Sequence, residues 1–391
     1  MTTTSTTPPI DGSVHSRAAP VPFLDLTPVH APLKADLLAD LADLLDTGAF
    51  TNGPSVAEFE QAFASYCGKG HCVGVASGLA ALRLALLGAG LERGEEVVVP
   101  AATFVATLEA VTQAGGVPVV ADVSEEDYGL DPAAAAAALG PRSRCLLPVH
   151  LYGQLADMRA LRALAARAGL LVVEDACQAH GARRDGLVAG GAGTAGAFSF
   201  YPGKNLGAIG DAGALVTDDP ELARRARALR EHGQRRKYEH DVEGWTARLD
   251  TVQALVLLRK LPLLDRWNDE RRLAAAFYCD ALAGVGDLRL PPVPARSEPV
   301  WHLYVVRTAE PARLGGFHAR RGVASGRHYP QPPHLTDAYA HLGFGVGAFP
   351  VAEALSAQAL SLPLFPGIRE EQLQAVVDAV SDYFRARRSD G

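Results

Sequence analysis

Lys204 and Asp175 are the residues whose type and setting could do covalent chemistry. Lys204 follows the apolar run Phe198-Ser199-Phe200-Tyr201 and the break Pro202-Gly203, so a strand delivers it to the start of a loop. A protonated lysine is a poor nucleophile, but a desolvated one attacks carbonyls, and Phe198, Phe200 and Tyr201 could desolvate it. Upstream, Leu171-Val172-Val173-Glu174-Asp175 reads as a second buried strand that ends in a carboxylate. An aspartate at the C-terminal end of a parallel strand points at the crevice where open α/β sheets bind ligands. A lysine that can form a Schiff base and an aspartate that can pair with a ring nitrogen are what pyridoxal phosphate requires of a protein. Each residue also has a plain reading: Lys204 as an exposed loop lysine, Asp175 as the N-cap of a following helix.

Other residues gain meaning beside that pair. Ser77-Gly78-Leu79 ends one strand and opens a helix, and a helix N-terminus with a small turn presents free N–H groups to a phosphate. Ser199 could add a hydroxyl, although an ordinary capped turn would carry the same residues. Phe104 opens the segment after the strand ending at Pro100 and could stack on a pyridine ring or be core. Gln178 and His180, just past Asp175, could reach a ring hydroxyl, and a structural histidine is the plain alternative.

The elements that must position these residues follow from hydrophobic patterning. Strands are expected at Cys72–Ala76, Glu96–Val99, Val117–Ala121, Cys145–Val149, Leu170–Glu174, Ala197–Phe200 and Gly213–Thr217. Helices are expected over Leu79–Leu87, after Thr103, near Pro132–Leu139 and over Met158–Ala168. Such alternation predicts an α/β fold with a mostly parallel sheet covered on both faces. Before it, Val21–Leu26 reads as extended, and a helix over Ala31–Leu45 carries Leu33, Leu37, Leu38, Leu41 and Leu44 on one face. A second helix carries Val56, Phe59, Phe63 and Tyr66. One long helix is expected from Thr251 to about Leu282, then a Pro-rich segment, a strand at His302–Arg307 and further helices. Residues 1–20, rich in Thr, Pro, Ser and Ala, read as a flexible arm, residues 21–260 as a large domain and 261–391 as a smaller α+β domain.

Composition bounds the function. With 391 residues, 48% of them hydrophobic, the chain can bury a large core. A net charge of −7 gives no reason to expect nucleic acid as a partner. No apolar run is long enough to span a membrane, and the first twenty residues lack the apolar block of a signal peptide. The five cysteines are scattered without metal-ligand spacing and read as reduced thiols, so no metal and a cytoplasmic setting are expected.

Taken jointly, several stretches resemble the DegT/DnrJ/EryC1/StrS family of PLP-dependent sugar aminotransferases: Ser77-Gly78, Thr103-Phe104-Val105-Ala106-Thr107, Glu174 to Ala182 and Ser199 to Gly207. Further similar stretches are Gly48 to Pro54, Gly244 to Asp250, His302 to Arg307 and His328-Tyr329-Pro330, so the resemblance spans about residues 21 to 385. It implies a fold-type-I transferase with a seven-stranded sheet in the large domain, working as a homodimer with shared active sites. By position, Lys204 would bond the cofactor aldehyde, Asp175 the pyridine nitrogen and Gln178 the ring hydroxyl. Phe104 would stack on the ring, Ser77, Gly78, Leu79 and Ser199 would hold the phosphate, and His328 and Tyr329 would lie near a nucleotide sugar. Leu79 stands where the family usually has Thr, and Thr246 where it often has an Asn that reaches the neighbouring subunit's cofactor. The basic, aromatic stretch His232 to Tyr238 places Lys237 and Tyr238 as candidates for a diphosphate, or as a solvated turn.

The activity so implied is transfer of an amino group from L-glutamate to a nucleotide-linked, dTDP-type keto-6-deoxysugar, C3 favoured over C4, in amino-sugar or antibiotic biosynthesis. A keto-cyclitol acceptor and a PLP-binding regulatory protein without turnover are the alternatives.

Overall fold

The computed structural model describes residues 20–389, so the expected arm lies outside the described residues but for Pro20. Seven strands form the central sheet: β1 (His71–Val75), β2 (Glu96–Pro100), β3 (Val117–Ala121), β4 (Ser143–Leu146), β5 (Leu171–Asp175), β6 (Ala195–Ser199) and β7 (Gly213–Thr217). Their spatial order is β1-β7-β6-β5-β4-β2-β3. All neighbours from β6 to β3 pair parallel, and β7 runs antiparallel to both β1 and β6.

Successive side chains on a strand point to opposite faces, and the two cores follow that rule. Val73, Val97, Val99, Val173, Ala197 and Leu215 enter one core with helices α3 (Gly78–Gly88), α4 (Ala106–Gln113) and α6 (Pro220–Arg230). Cys72, Val98, Val172, Phe198 and Val216 enter the other with α2 (Pro54–Tyr66), α5 (Met158–Ala168) and α7 (Thr251–Lys260). Helix α1 (Lys34–Thr47) precedes them. Of its expected apolar face, Leu44 is buried, but Leu38 and Leu41 are exposed. They flank an apolar hollow of about 590 Å³ shared with Ile209 and with Val252, Leu255 and Val256 of α7.

The long helix expected to start at Thr251 is broken. Pro262 removes one N–H and clashes with the preceding turn, and Leu261–Leu263 forms a 3-10 turn between α7 and α8 (Leu264–Leu282). Beyond it, β8 (Tyr304–Arg307) and β9 (Ala359–Leu362) pair antiparallel. Tyr304 and Val306 face a third core with Tyr278 of α8, Leu314 of α9 (Pro311–Arg320) and Val376 of α10 (Glu370–Ser389). Val305 faces the core of α3 and α4, so the small sheet is packed against the large one. Val21 bridges to Val323 and belongs to the third core, which ties the start of the described chain to its end. No helix among the described residues is long and apolar enough to cross a membrane.

Candidate active site

A cavity of about 570 Å³ opens at the C-terminal ends of β5 and β6. Its wall brings together Ser77, Gly78, Leu79, Phe104, Asp175, Gln178, Ser199, Lys204, His328 and Tyr329. Leu171-Val172-Val173 buries β5, and alternation sends Asp175 to the same face as Val173, into the cavity. Asp175 Oδ2 accepts from Thr107 Oγ1 at 2.8 Å and Oδ1 from the Cys177 N–H at 3.2 Å. Thr107 lies 2.7 Å from Thr103 Oγ1. Because its only hydroxyl proton goes to Asp175, Thr103 is the donor of that bond. The carboxylate is thus fixed from two sides, and each oxygen keeps a lone pair for a further donor. No helix follows, so Asp175 caps a turn rather than a helix.

Lys204 lies in the loop between β6 and β7. Its surface faces the cavity, and the crowding of protein around it lowers its pKa, a drop opposed by Cys177 and Asp175. Phe198 and Phe200, expected to desolvate it, do not. They pack on the other side of the sheet, with ring centroids 4.9 Å and 5.1 Å from Phe63. Strand alternation turns Phe198 away from the cavity and Ser199 toward it. Tyr201 does line the cavity.

At the other end, Ser77 caps α3 by accepting from the Ala80 N–H at 3.1 Å. Ser199 Oγ accepts from the Tyr201 N–H at 3.3 Å. Both hydroxyl protons remain available, beside the N–H groups of the first helical turn. Gly78 is required here. A Cβ would stand 2.7 Å from Ser199 Cβ and 2.8 Å from Cys177 Sγ, so only glycine lets α3 approach β6 this closely. Leu79 contributes its N–H and no hydroxyl.

Phe104 is 50% exposed, its ring centroid 5.3 Å from that of Tyr329 at an interplanar angle of 37°. A flat ring thus has an aromatic wall on one side of the cavity. Gln178 Oε1 accepts from the Tyr152 N–H at 2.7 Å, and Nε2 donates to the Tyr329 hydroxyl at 3.1 Å. One amide hydrogen stays free for a ligand. Burial raises the Tyr329 pKa. His328 stacks on Phe23 with centroids 5.4 Å apart and meets Ser361 Oγ through Nδ1 at 2.8 Å. Burial, then the Lys204 charge, lowers its pKa.

Three residues named from the sequence lie outside this cavity. Thr246 Oγ1 is 3.0 Å from His232 Nε2. Lys237 and Tyr238 occupy the turn of a hairpin, Gln234–Arg236 with Glu239–His240, and Tyr238 is 81% exposed. His180 follows the structural alternative: it is fully buried against Phe198 and Phe200, away from the cavity lining, with its pKa pushed down to about 3 by burial and by Lys204. Sequence reasoning missed Thr107, His302 and Phe23. The first two stand inside stretches that carried the resemblance, but no spacing rule assigns them a role, and Phe23 arrives from a distant segment.

The donor set fits a phosphorylated pyridine aldehyde: an amine and a carboxylate in one cavity, an aromatic wall, and two hydroxyls beside a helix N-terminus. No group of three or more metal-ligating side chains occurs among the described residues.

A sequence profile of the DegT/DnrJ/EryC1/StrS aminotransferase family matches residues 32–381. A dTDP-3-amino-3,4,6-trideoxy-alpha-D-glucose transaminase of Streptomyces venezuelae is 48% identical over 363 residues, 93% of this chain and 96% of the relative. The erythromycin biosynthesis sensory transduction protein EryC1 of Saccharopolyspora erythraea is 46% identical, over 91% of this chain and 98% of that protein. The crystal structure of S. venezuelae DesV in complex with a ketimine intermediate superposes with a TM-score of 0.92 at 48% identity, over 94% of this chain and 99% of that one.

Proposed function

This chain belongs to the DegT/DnrJ/EryC1/StrS aminotransferase family, whose fold is that of pyridoxal-phosphate-dependent transferases, and we propose that it aminates C3 of a dTDP-linked keto-6-deoxysugar with L-glutamate as donor. The observation that carries this reading is the convergence of Lys204, Asp175, Ser199 and the N-terminus of α3 on one cavity. The S. venezuelae relative, named for a 3-amino product, supports C3 and the dTDP group.

Pyridoxal 5'-phosphate, when bound, supplies an aldehyde that takes up and hands on the amino group and a protonated ring that accepts electrons. Lys204 would hold the aldehyde carbon. Its Nζ would be the group that moves a proton at the substrate carbon, and its burial-lowered pKa brings the neutral form closer to working pH. Asp175, fixed by Thr107 and the Cys177 N–H, keeps the ring nitrogen protonated. Gln178 would offer its free amide hydrogen to the ring hydroxyl, and Phe104 would cover one ring face. Ser77, Gly78, Leu79 and Ser199 bind the phosphate. His328 and Tyr329 line the acceptor side.

The reading includes a homodimer. The hollow beside Leu38, Leu41 and Ile209 offers an apolar face for a second copy. In that pairing Lys237 and Tyr238 would reach the nucleotide diphosphate of the partner's site, and Thr246 its cofactor phosphate. The reading also has a cytoplasmic enzyme, with a large domain to about residue 260 and a smaller one after it.

A panel of keto-sugar nucleotides with glutamate tests it. We expect 2-oxoglutarate release and, by NMR, nitrogen on C3. Amination at C4, or of no sugar nucleotide at all, defeats the substrate assignment. A regulatory role without turnover is favoured by the name of the S. erythraea relative. A yellow protein that keeps its visible absorption against every amino donor would establish that role instead.

A further inference from the structure

The loop that carries Lys204 is a small closed ring. Ala208 N–H donates to Phe200 O at 2.8 Å across its base, and Lys204 N–H donates to Tyr201 O at 2.8 Å near its apex. A Cβ on Gly207 would stand 2.3 Å from Pro202 O, so the two arms of the ring touch and no side chain fits between them. Asn205 anchors the far side of the ring to α8 and to the segment before β8, donating to Asn268 Oδ1 at 2.9 Å and to Val300 O at 2.8 Å, which leaves the base of the ring to be anchored.

Helix α7 anchors it with two side chains. Gln253 Oε1 accepts from the Ile209 N–H at 3.0 Å, just past the ring's base. Two helical turns later, on the same face, Lys260 donates from Nζ to the Gly207 carbonyl. Lys260 is only 2% exposed, and no carboxylate pairs with it among the described residues. Its other contacts are His30 Nε2 at 3.3 Å and the face of Trp267, 5.7 Å from Nζ to the ring centroid. His30 donates its Nδ1 proton to Leu26 O at 2.7 Å, so Nε2 is the accepting nitrogen. A lysine buried without a counter-ion is costly; burial pushes this one down to about 8. An apolar residue there would leave the buried Gly207 carbonyl without its donor.

We propose that Lys260 and Gln253 are positioning residues for Lys204: together they clasp the base of its loop to α7 and so set where its amine stands in the cavity. The inference rests on Lys204 being the residue that holds the cofactor.

Lys260→Met keeps length and removes the donor. In cofactor-free protein, hydrogen–deuterium exchange of the peptide covering residues 201–210 should quicken about tenfold, with peptides of α10 unchanged. In the loaded enzyme, kcat with glutamate should fall about 10- to 100-fold while KM changes by less than about threefold, because a displaced amine affects the proton transfer more than binding. Wild-type exchange together with wild-type kcat overturns the clasp. Should Lys260→Met not fold, Gln253→Ala decides on the same two readouts: faster exchange of 201–210 with lowered kcat supports the clasp, and unchanged values overturn it. Borohydride fixation separates the premise. If Lys204→Ala still bonds cofactor under borohydride, the assignment of Lys204 falls and the inference with it; if that bond is lost while exchange in Lys260→Met stays as in the wild type, only the clasp falls.

Discussion

Two polar regions of this chain differ in how complete they are. Around Asp175 two sets of bonds hold the cavity's polar groups: Thr103, Thr107 and the Cys177 N–H fix the carboxylate, and the Tyr152 N–H and Tyr329 fix Gln178, which leaves lone pairs of Asp175 and one amide hydrogen of Gln178 free. The hairpin at Gln234–His240 is the reverse. Arg235 pairs with Glu239, and Lys237 Nζ stands 5.3 Å from the centroid of the exposed Tyr238 ring. The buried region is preorganised by its own chain, and the exposed one presents the Lys237 charge to solvent beside an Arg235 that pairs with Glu239. The difference suggests that chemistry belongs to the first and recognition of a separately arriving anion to the second.

The largest blow to that contrast comes at Lys204. Lys204→Ala should lower glutamate-dependent 2-oxoglutarate formation by about 10⁴-fold or more, since both the nucleophile and the proton carrier are removed. Near-normal turnover would show that the cavity is not where reaction occurs. Asp175→Asn replaces one acceptor oxygen by a donor, so it keeps only one of the Thr107 and Cys177 hydrogens; it should still bind cofactor, yet lose on the order of 10²-fold in kcat with the charge opposite the ring. An unchanged rate would remove Asp175 from the ring nitrogen. Lys237→Ala tests the exposed region. We expect KM for the sugar nucleotide to rise about tenfold, the equivalent of one charge-assisted hydrogen bond of about 1.4 kcal/mol, with kcat unchanged. A fall in kcat with constant KM would erase the proposed division of labour.

The smallest effect concerns acid. His180, His302 and His328 are all held below the ordinary imidazole pKa by burial first and by Lys204 next. Their folded pKa lies below the unfolded one, so the unfolded chain binds more protons as pH falls through about 6.5. Stability is therefore full above that pH and declines below it, by up to about 1.4 kcal/mol per pH unit for each such histidine. Urea titrations between pH 7 and pH 5 measure the slope; His180→Leu should flatten it, and a slope unchanged in that variant would deny His180 its share.

Much of this was legible in the sequence where local pattern and burial agree. Val117–Ala121, Gly213–Thr217 and Met158–Ala168 have the ends the sequence implies, and residues at strand ends, such as Asp175 and Ser77, reach the cavity because strand ends define it. Errors arose where a longer-range partner decides. Leu38 and Leu41 have helical spacing, but among the described residues nothing covers them. Phe198 and Phe200 are close to Lys204 in sequence and across the sheet from it in space. Cys145–Val149 was expected as one strand, whereas regular pairing covers Ser143–Leu146 and then resumes as an isolated parallel bridge of Val149 to Asp175 before the turn at Leu151–Gly153. Thr107 and Lys260 carried no signal, because a threonine inside a helix and a lysine at a helix end look ordinary until their partners are known.

Glu174, beside Asp175 on β5, has a consequence of its own. It points the opposite way, fully buried, and receives N–H groups from Gly190, Ala192 and Gly193 as well as meeting His150 Nε2 at 2.8 Å. Two acids side by side on one strand would exchange environments if that strand slid by a single residue. The four bonds on Glu174 reject such a slide, so the acid turned away from the cavity holds its neighbour to it.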